Sequence, residues 1–303
     1  MLRAAIRWLL APIALALAMT GLMASPSGAV TGPNIAPDYT HTYVGLIAFY
    51  DADGNFVHRC TGTLLSEQVF LTAGHCVTLD DEGTLATTAR IWFEQDAGAD
   101  YDPVTDTPAT SGYPYSGGVL ADTFYENNFR GLTIPQTNDV GLVILDPGAL
   151  EAAYPELVEA GQYADLAAPG TSETLGTGPD AVVDVSGYGV SAIKGKNGVN
   201  TVSYRSRLGG STFIINTHNQ YTAGYNLQLA SNFGNGRVGT CFGDSGGPIF
   251  VGGTNDILAV NSFVKNWSCG GQGFAYRVDT VEVQAWMESV LKPLGLWDDI
   301  VIA

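Results

Sequence analysis

The sequence predicts an all-β protein whose many short strands pack as a sandwich or barrel. Three observations support this. Short apolar runs recur between Gly, Asp and Asn punctuation, without helices between them. Glycine supplies 38 of 303 residues, well above the usual share of about 7%. The 14 Tyr and 12 Phe, set against only 13 Lys and Arg, suit pleated sheets better than helical bundles or coiled coils. The 46% hydrophobic content excludes a disordered chain. The 30 acids give a formal net charge of −17, which argues against nucleic-acid backbones and anionic membranes as partners.

In chain order, residues 1–29 read as an export signal. Arg3 and Arg7 form a positive start, Trp8 to Met23 is almost wholly apolar, and Ser27-Gly28-Ala29 offers small residues for cleavage. Leu22-Met23-Ala24 is a second cleavage choice. The apolar run is shorter than the roughly 20 residues that span a bilayer, and Pro12 interrupts it, so a cleaved signal is preferred to an anchor. Export favours disulfides, and the four cysteines (Cys60, Cys76, Cys241, Cys269) allow three pairings. No C-x-x-C or H-x-x-x-H spacing supports a zinc site, so no metal and no organic cofactor is expected.

Val44 to Tyr50 and Phe56 to Cys60 flank an Asp-Gly turn and read as a hairpin. Asp51, Asp53 and Asn55 resemble part of a calcium loop, but the closing Glu is missing and a plain turn is preferred. Further strands are expected at 63–65, 69–71, 90–93, 140–145, 181–185, 211–215, 248–251, 257–264 and 273–278. Glu94 to Asn138 and Pro147 to Gly178 read as connections. One helix is expected near the C-terminus, capped by Asp279 or Thr280, with Val283, Met287, Val290 and Leu291 on one face.

The chemistry centres on Cys241-Phe242-Gly243-Asp244-Ser245-Gly246-Gly247-Pro248. Glycines around a serine permit unusual dihedrals and close substrate approach. The N–H groups of Gly243 and Ser245 could converge on a developing oxyanion. The segment also satisfies G-x-S-x-G, but an α/β-hydrolase needs its histidine after the serine, and His41, His58, His75 and His218 all precede Ser245. His75 follows an apolar strand and adjoins Cys76; the other three histidines are assigned exposed structural roles. A base of this kind works best with a carboxylate fixing its tautomer. Asp139, at the mouth of an apolar strand, is the candidate.

In the order His75, Asp139, Ser245, the chain resembles the chymotrypsin/trypsin-like serine endopeptidases. The resemblance rests on Thr72-Ala73-Gly74-His75-Cys76, Asn138-Asp139-Val140-Gly141-Leu142, Val185-Ser186-Gly187-Tyr188-Gly189 and the Ser245 motif. It implies two six-stranded antiparallel β-barrels, at 30–150 with His75 and Asp139 and at 151–303 with Ser245 and a terminal helix. It implies disulfides Cys60–Cys76 and Cys241–Cys269. Ser245 would be the nucleophile, His75 the base, Asp139 its orienting partner, and Gly243 and Ser245 the oxyanion donors. Ser262 matches the serine that hydrogen-bonds the aspartate. The implied protein is a secreted, monomeric endopeptidase acting on polypeptides without a cofactor. A non-catalytic binding protein on the same fold is the alternative, but such chains usually lose a catalytic residue and all three are present here.

Two features depart from the family pattern. No Ile-Val-Gly-Gly precedes Val44, so Asp244 needs a partner other than a newly cut amino terminus. Gly239 stands where trypsin-like pockets hold an acid, with Thr240 beside it, which disfavours Arg or Lys specificity. With Val264 at the pocket mouth and Gly273 facing it, the expected pocket is neutral. Thr240 also occurs in glutamate-cleaving relatives, but Asn261 takes the place of their histidine.

Overall fold

The computed structural model describes residues 30–32, 34–79, 84–99, 116–118, 134–190, 192–194, 200–202, 205–231 and 236–303. The expected export signal and most of the 94–138 connection lie outside these residues. The chain opens with β1 (Ala36–Pro37), then runs β2 (Val44–Tyr50), β3 (Phe56–Leu64), β4 (Val69–Thr72), the one-turn helix α1 (Gly74–Val77), β5 (Thr88–Trp92), β6 (Ser116–Gly118) and β7 (Gly141–Ile144). The helices α2 (Ala149–Ala153) and α3 (Pro155–Ala160), the strand β8 (Asp165–Leu166) and the helix α4 (Thr171–Leu175) follow. Then come β9 (Val182–Gly187), β10 (Ala192–Lys194), β11 (Asn200–Val202), β12 (Leu208–Asn216), β13 (Asn226–Ser231), β14 (Pro248–Val251), β15 (Asp256–Val264), β16 (Gly271–Arg277) and the C-terminal helix α5 (Val281–Leu291).

The first sheet is six-stranded, in the order β6-β5-β2-β3-β4-β7, and all its pairings are antiparallel. It curls as a half-barrel with β6 and β7 at its edges. Its central strand β2 is buried along its whole length, as expected for an unbroken apolar run covered on both faces. The β2–β3 turn is the plain turn expected. Asp51 Oδ1 accepts from the N–H groups of Asp53 (2.9 Å) and Asn55 (2.8 Å), so the loop spends its acid on its own backbone. The two strands expected at 56–60 and 63–65 form one. Gly62 looks like a break, but it is a point of close packing, where a Cβ would lie 2.2 Å from the Phe70 ring.

The second sheet closes. Strands β12-β13-β16-β15-β14-β9 run in order, and β9 pairs back onto β12, giving a six-stranded antiparallel ring. β1 adds to β12, and β8 pairs parallel with β15. β13 had no signal of its own in the sequence. All six of its residues are buried, so no alternation shows, and its polar side chains find partners inside the protein, although Asn226 Oδ1 has none among the described residues. Asn226 Nδ2 donates to the Pro135 and Tyr221 carbonyls, and Gln228 Oε1 accepts from Asn219. The expected connection at 147–178 contains α2, α3, β8 and α4, helices too short to display a 3.6-residue period. α5 is capped by Thr280, whose Oγ1 accepts from the Val283 N–H at 3.2 Å. Asp279 instead accepts from Arg277 Nε at 2.7 Å and from the Ser172 N–H at 2.7 Å. No helix among the described residues is long and apolar enough to cross a membrane.

The sheets meet across buried polar contacts. Arg207, immediately before β12, is 2% exposed. Its guanidinium donates to the carbonyls of Asp38 (3.0 Å), Val44 (3.1 Å) and Phe93 (2.8 Å) and to Tyr188 Oη (3.0 Å). Tyr188 Oη in turn donates to the Glu94 carbonyl at 2.7 Å. Ser186 on β9 donates to Asp38 at 2.6 Å. Replacing Arg207 by Met removes these donors and leaves buried carbonyls unpaired, each worth about 1–3 kcal/mol. Arg207→Met is expected to lower stability by about 3 kcal/mol or more. Denaturant unfolding checks this, and an unchanged midpoint would contradict the bridging role.

Candidate active site

His75 sits on α1, directly after β4, and Cys76 beside it is bridged to Cys60 on β3 (Cα–Cα 6.2 Å). A crosslink of this span contributes on the order of 3 kcal/mol in the chain-entropy model. Asp139 stands just before β7, which pairs with β4. The preceding Asn138 adopts φ 48°, a left-handed conformation that Asn tolerates, and its Oδ1 accepts from Tyr276 Oη at 2.9 Å. This turn aims Asp139 at His75. The carboxylate is fully buried and accepts three kinds of donor: the His75 N–H (2.8 Å), His75 Nδ1 (2.9 Å) and the Ser262 hydroxyl. Bonding at Nδ1 leaves Nε2 as the ring's other nitrogen, the tautomer a base requires.

Ser245 lies in the loop between β13 and β14 and shares with His75 one cavity of about 210 Å³. Gly246 sets that proximity. Its φ is +78°, and a Cβ there would lie 2.0 Å from Thr72 Oγ1 and 2.6 Å from the Ala73 nitrogen. Only glycine lets the serine loop press against the segment that carries His75. The Thr61 N–H donates to the Ser245 carbonyl at 2.9 Å, and Thr61 Oγ1 donates to the Gly243 carbonyl at 2.8 Å. Within the loop, the N–H groups of Asp244, Gly246 and Gly247 are spent on carbonyls. Those of Gly243 and Ser245 donate to no backbone acceptor among the described residues.

Among the described residues the rest of the cavity is lined by Thr240, Cys241, Phe242, Asn261, Ser262, Phe263 and Val264, with no carboxylate or ammonium. Thr240, Ser262 and Val264 were expected there from the sequence; Gly239 and Gly273 are not in the lining. Gly239 pairs its backbone with Thr31, N–H to carbonyl at 2.7 Å and 2.8 Å, while Gly273 backs onto the Thr240 hydroxyl. Phe242 and Phe263 were not singled out as lining residues. Phe242 meets the exposed Trp267 in a tilted contact at 5.2 Å, and Phe263 stacks on Phe274 at 4.6 Å. The second expected bridge, Cys241–Cys269, is present beside the cavity. Cys60, His75 and Cys76 have donor atoms within 4.8 Å of one another, but both sulfurs are spent in a disulfide and cannot act as thiolate ligands.

Of the remaining histidines, two are not exposed as expected. His41 Nδ1 donates to the Asp38 carboxylate at 2.9 Å, and the ring stacks on Phe250. His58 Nε2 meets the Cys76 carbonyl at 2.6 Å, and its burial lowers its pKa. His218 is exposed.

Two six-stranded β-units, with a His–Asp pair on one and a glycine-flanked serine on the other, define the chymotrypsin-like fold class. The family model described as Trypsin matches residues 36–287. The chain belongs to that family. Among solved structures it is similar to neuropsin, a serine protease expressed in the limbic system of mouse brain, with TM-score 0.53 and 16% identity, covering 86% of this chain and 98% of that one. HL collagenase matches with TM-score 0.49 and 17% identity, covering 84% of this chain and 94% of that one.

Asp244, the residue before the serine, is fully buried. Its oxygens accept the N–H groups of Gly189 (2.9 Å) and Cys241 (2.8 Å). Burial pushes its pKa up to about 8, against the opposing pull of those two N–H groups and of the Arg59 guanidinium. An acid whose folded pKa is raised is protonated when folded and ionised when unfolded between the two values. Asp244 therefore contributes stability at low pH that is lost as pH rises from about 4 to about 8. The pH dependence of the melting temperature should flatten over that window in Asp244→Asn; an identical profile in both proteins would rule this out.

Proposed function

We propose that this protein is an exported serine endopeptidase that cleaves polypeptides through an acyl-enzyme on Ser245. The observation that carries the reading is the Asp139–His75 pair, held at Nδ1, sharing one cavity with Ser245. In this mechanism His75 Nε2 takes the proton from Ser245 Oγ as the oxygen attacks the scissile carbonyl. Asp139 fixes the ring's tautomer and stabilises the imidazolium. The N–H groups of Gly243 and Ser245 receive the developing oxyanion. His75 then gives its proton to the leaving amine, and a water molecule, activated by the same base, releases the acyl group. No metal or organic cofactor takes part.

The uncharged lining supports a neutral specificity pocket, because a buried Lys or Arg side chain would need a counter-charge there. The cavity volume suits a single small or medium apolar side chain, and Phe242 gives its rim an aromatic surface. Export is supported by the sequence of residues 1–29 and by the two disulfides. We assign residues 30–150 and 151–303 to the two structural units and take the working form to be a monomer. Activity without a tryptic activation step is supported by the N–H groups of Gly189 and Cys241, which already hold Asp244.

The test is to incubate the secreted protein and its Ser245→Ala variant with a serine-directed phosphonylating reagent and a mixed peptide library. The wild type should be labelled on Ser245 and should cut after small or medium apolar residues. The variant should lose label and about 10⁶-fold in kcat. No label and no cleavage in the wild type would favour a binding protein on this fold. A precursor that gains activity only after internal tryptic cleavage would refute the maturation reading.

A further inference from the structure

We propose that Arg59 is the positioning residue of the Gly243–Ser245 loop, a fixed cation set between that loop and the Tyr188–Gly189 backbone. The inference rests on Ser245 being the nucleophile and concerns how its oxyanion loop is held. Arg59 and Thr61 are two residues apart on β3, so they project from the same face. Both reach the same two segments of the second unit. Thr61 Oγ1 donates to the Gly243 carbonyl at 2.8 Å and accepts from the Tyr188 N–H at 3.0 Å. Arg59 Nη1 donates to the Tyr188 carbonyl at 3.4 Å. It also covers Gly243, where a Cβ would lie 2.7 Å from Nη1 and 2.9 Å from the Gly189 Cα. Gly243 has φ +95°, so its glycine satisfies both the turn and the guanidinium packed upon it.

Asp244 lies between these two segments. Its oxygens are taken up by the N–H groups of Gly189 and Cys241, which satisfy its lone pairs but carry no net charge. A buried carboxylate also needs a positive field, and Arg59 exerts one on Asp244. A guanidinium stays protonated at any working pH and presents its donors in a planar fork. It can therefore hold the loop from within β3, whatever happens at the amino terminus.

The experiment compares wild type with Arg59→Met, Arg59→Lys, Asp244→Asn and the Arg59→Met/Asp244→Asn double variant at about pH 9, where Asp244 is ionised. Arg59→Met should lose about tenfold or more in kcat and in the rate of Ser245 phosphonylation, with KM changed less than about threefold. Arg59→Lys, which keeps the charge, should recover most of that loss. In denaturant unfolding, the shift in midpoint caused by Arg59→Met should shrink by about half or more once Asp244 is Asn. Wild-type kcat in Arg59→Met, or a Lys variant as slow as the Met variant, would overturn the proposal. If the wild type is neither labelled nor active, the protease reading fails. The unfolding cycle then decides alone, and additive effects at positions 59 and 244 refute the coupling. If Arg59→Met does not fold, Arg59→Gln replaces it in every arm.

Discussion

The hydrogen bond from the Thr61 N–H to the Ser245 carbonyl joins the two units at the point where the site must be assembled. His75 and Asp139 belong to the first sheet, and Ser245 to a loop of the second, so no local sequence preference can set their separation. Thr61 sets it with every polar group it has. Its N–H holds Ser245, its hydroxyl links Gly243 to Tyr188, and its carbonyl accepts from Thr72, three residues before His75. Fully buried and fully satisfied, such a node is rigid, because any shift leaves a donor or acceptor unpaired in low dielectric. Gly246, pressed on Thr72 and Ala73, completes the contact from the other side. Arg207 and Tyr188 make a second tie deeper in the seam, so the units cannot hinge freely about Thr61.

The chain carries a formal charge of −17, yet no described residue lining the cavity beside Ser245 carries a carboxylate. The acids that are buried are each enclosed by donors. Asp279 is paired with Arg277 and capped by the Ser172 N–H, which ties α4 to the start of α5. For Asp38, burial acts to raise the pKa. Its hydrogen bond to His41, the charge of that ring and the Ser186 hydroxyl outweigh this and hold the carboxyl well below the usual range. Surface acidity governs what the whole molecule repels. Pocket chemistry is set by the few side chains that face inward.

The residues of the proposed chemistry were more legible in the sequence than the contacts that support them. The motifs around His75, Asp139 and Ser245 stand out because the needed residue types are rare, closely spaced and flanked by glycine. Strands such as Val44–Tyr50 and Pro248–Val251 were legible to the residue, since continuous apolar runs between turn signals have few other uses. Asn226–Ser231 was not, because its polar side chains find partners only in three dimensions. Thr61 and Arg59 were equally silent. A threonine and an arginine in a strand read as ordinary solvent-facing residues, and their partners lie more than 100 positions away. Gly239 was placed in the pocket by position along the chain, whereas its backbone is occupied by pairing with Thr31.

Asp38, His41 and Ser186 repeat the arrangement of Asp139, His75 and Ser262. In each set a buried carboxylate accepts a histidine's own N–H, its Nδ1 and a serine hydroxyl from the second ring. Each histidine also borders a cavity of comparable size, about 230 Å³ at His41 and about 210 Å³ at His75. The difference lies in what faces the ring. Among the described residues the cavity at His41 is lined by Asn34, Ala36, Pro37, Asp38, Asp184, Val185 and two glycines, none with a hydroxyl or thiol, and the ring lies flat on Phe250. An oriented imidazole is therefore a packing solution that this fold uses twice. The proposed chemistry needs the further step in which the second unit delivers Ser245 to the same space, with the N–H groups of Gly243 and Ser245 donating to no backbone acceptor among the described residues.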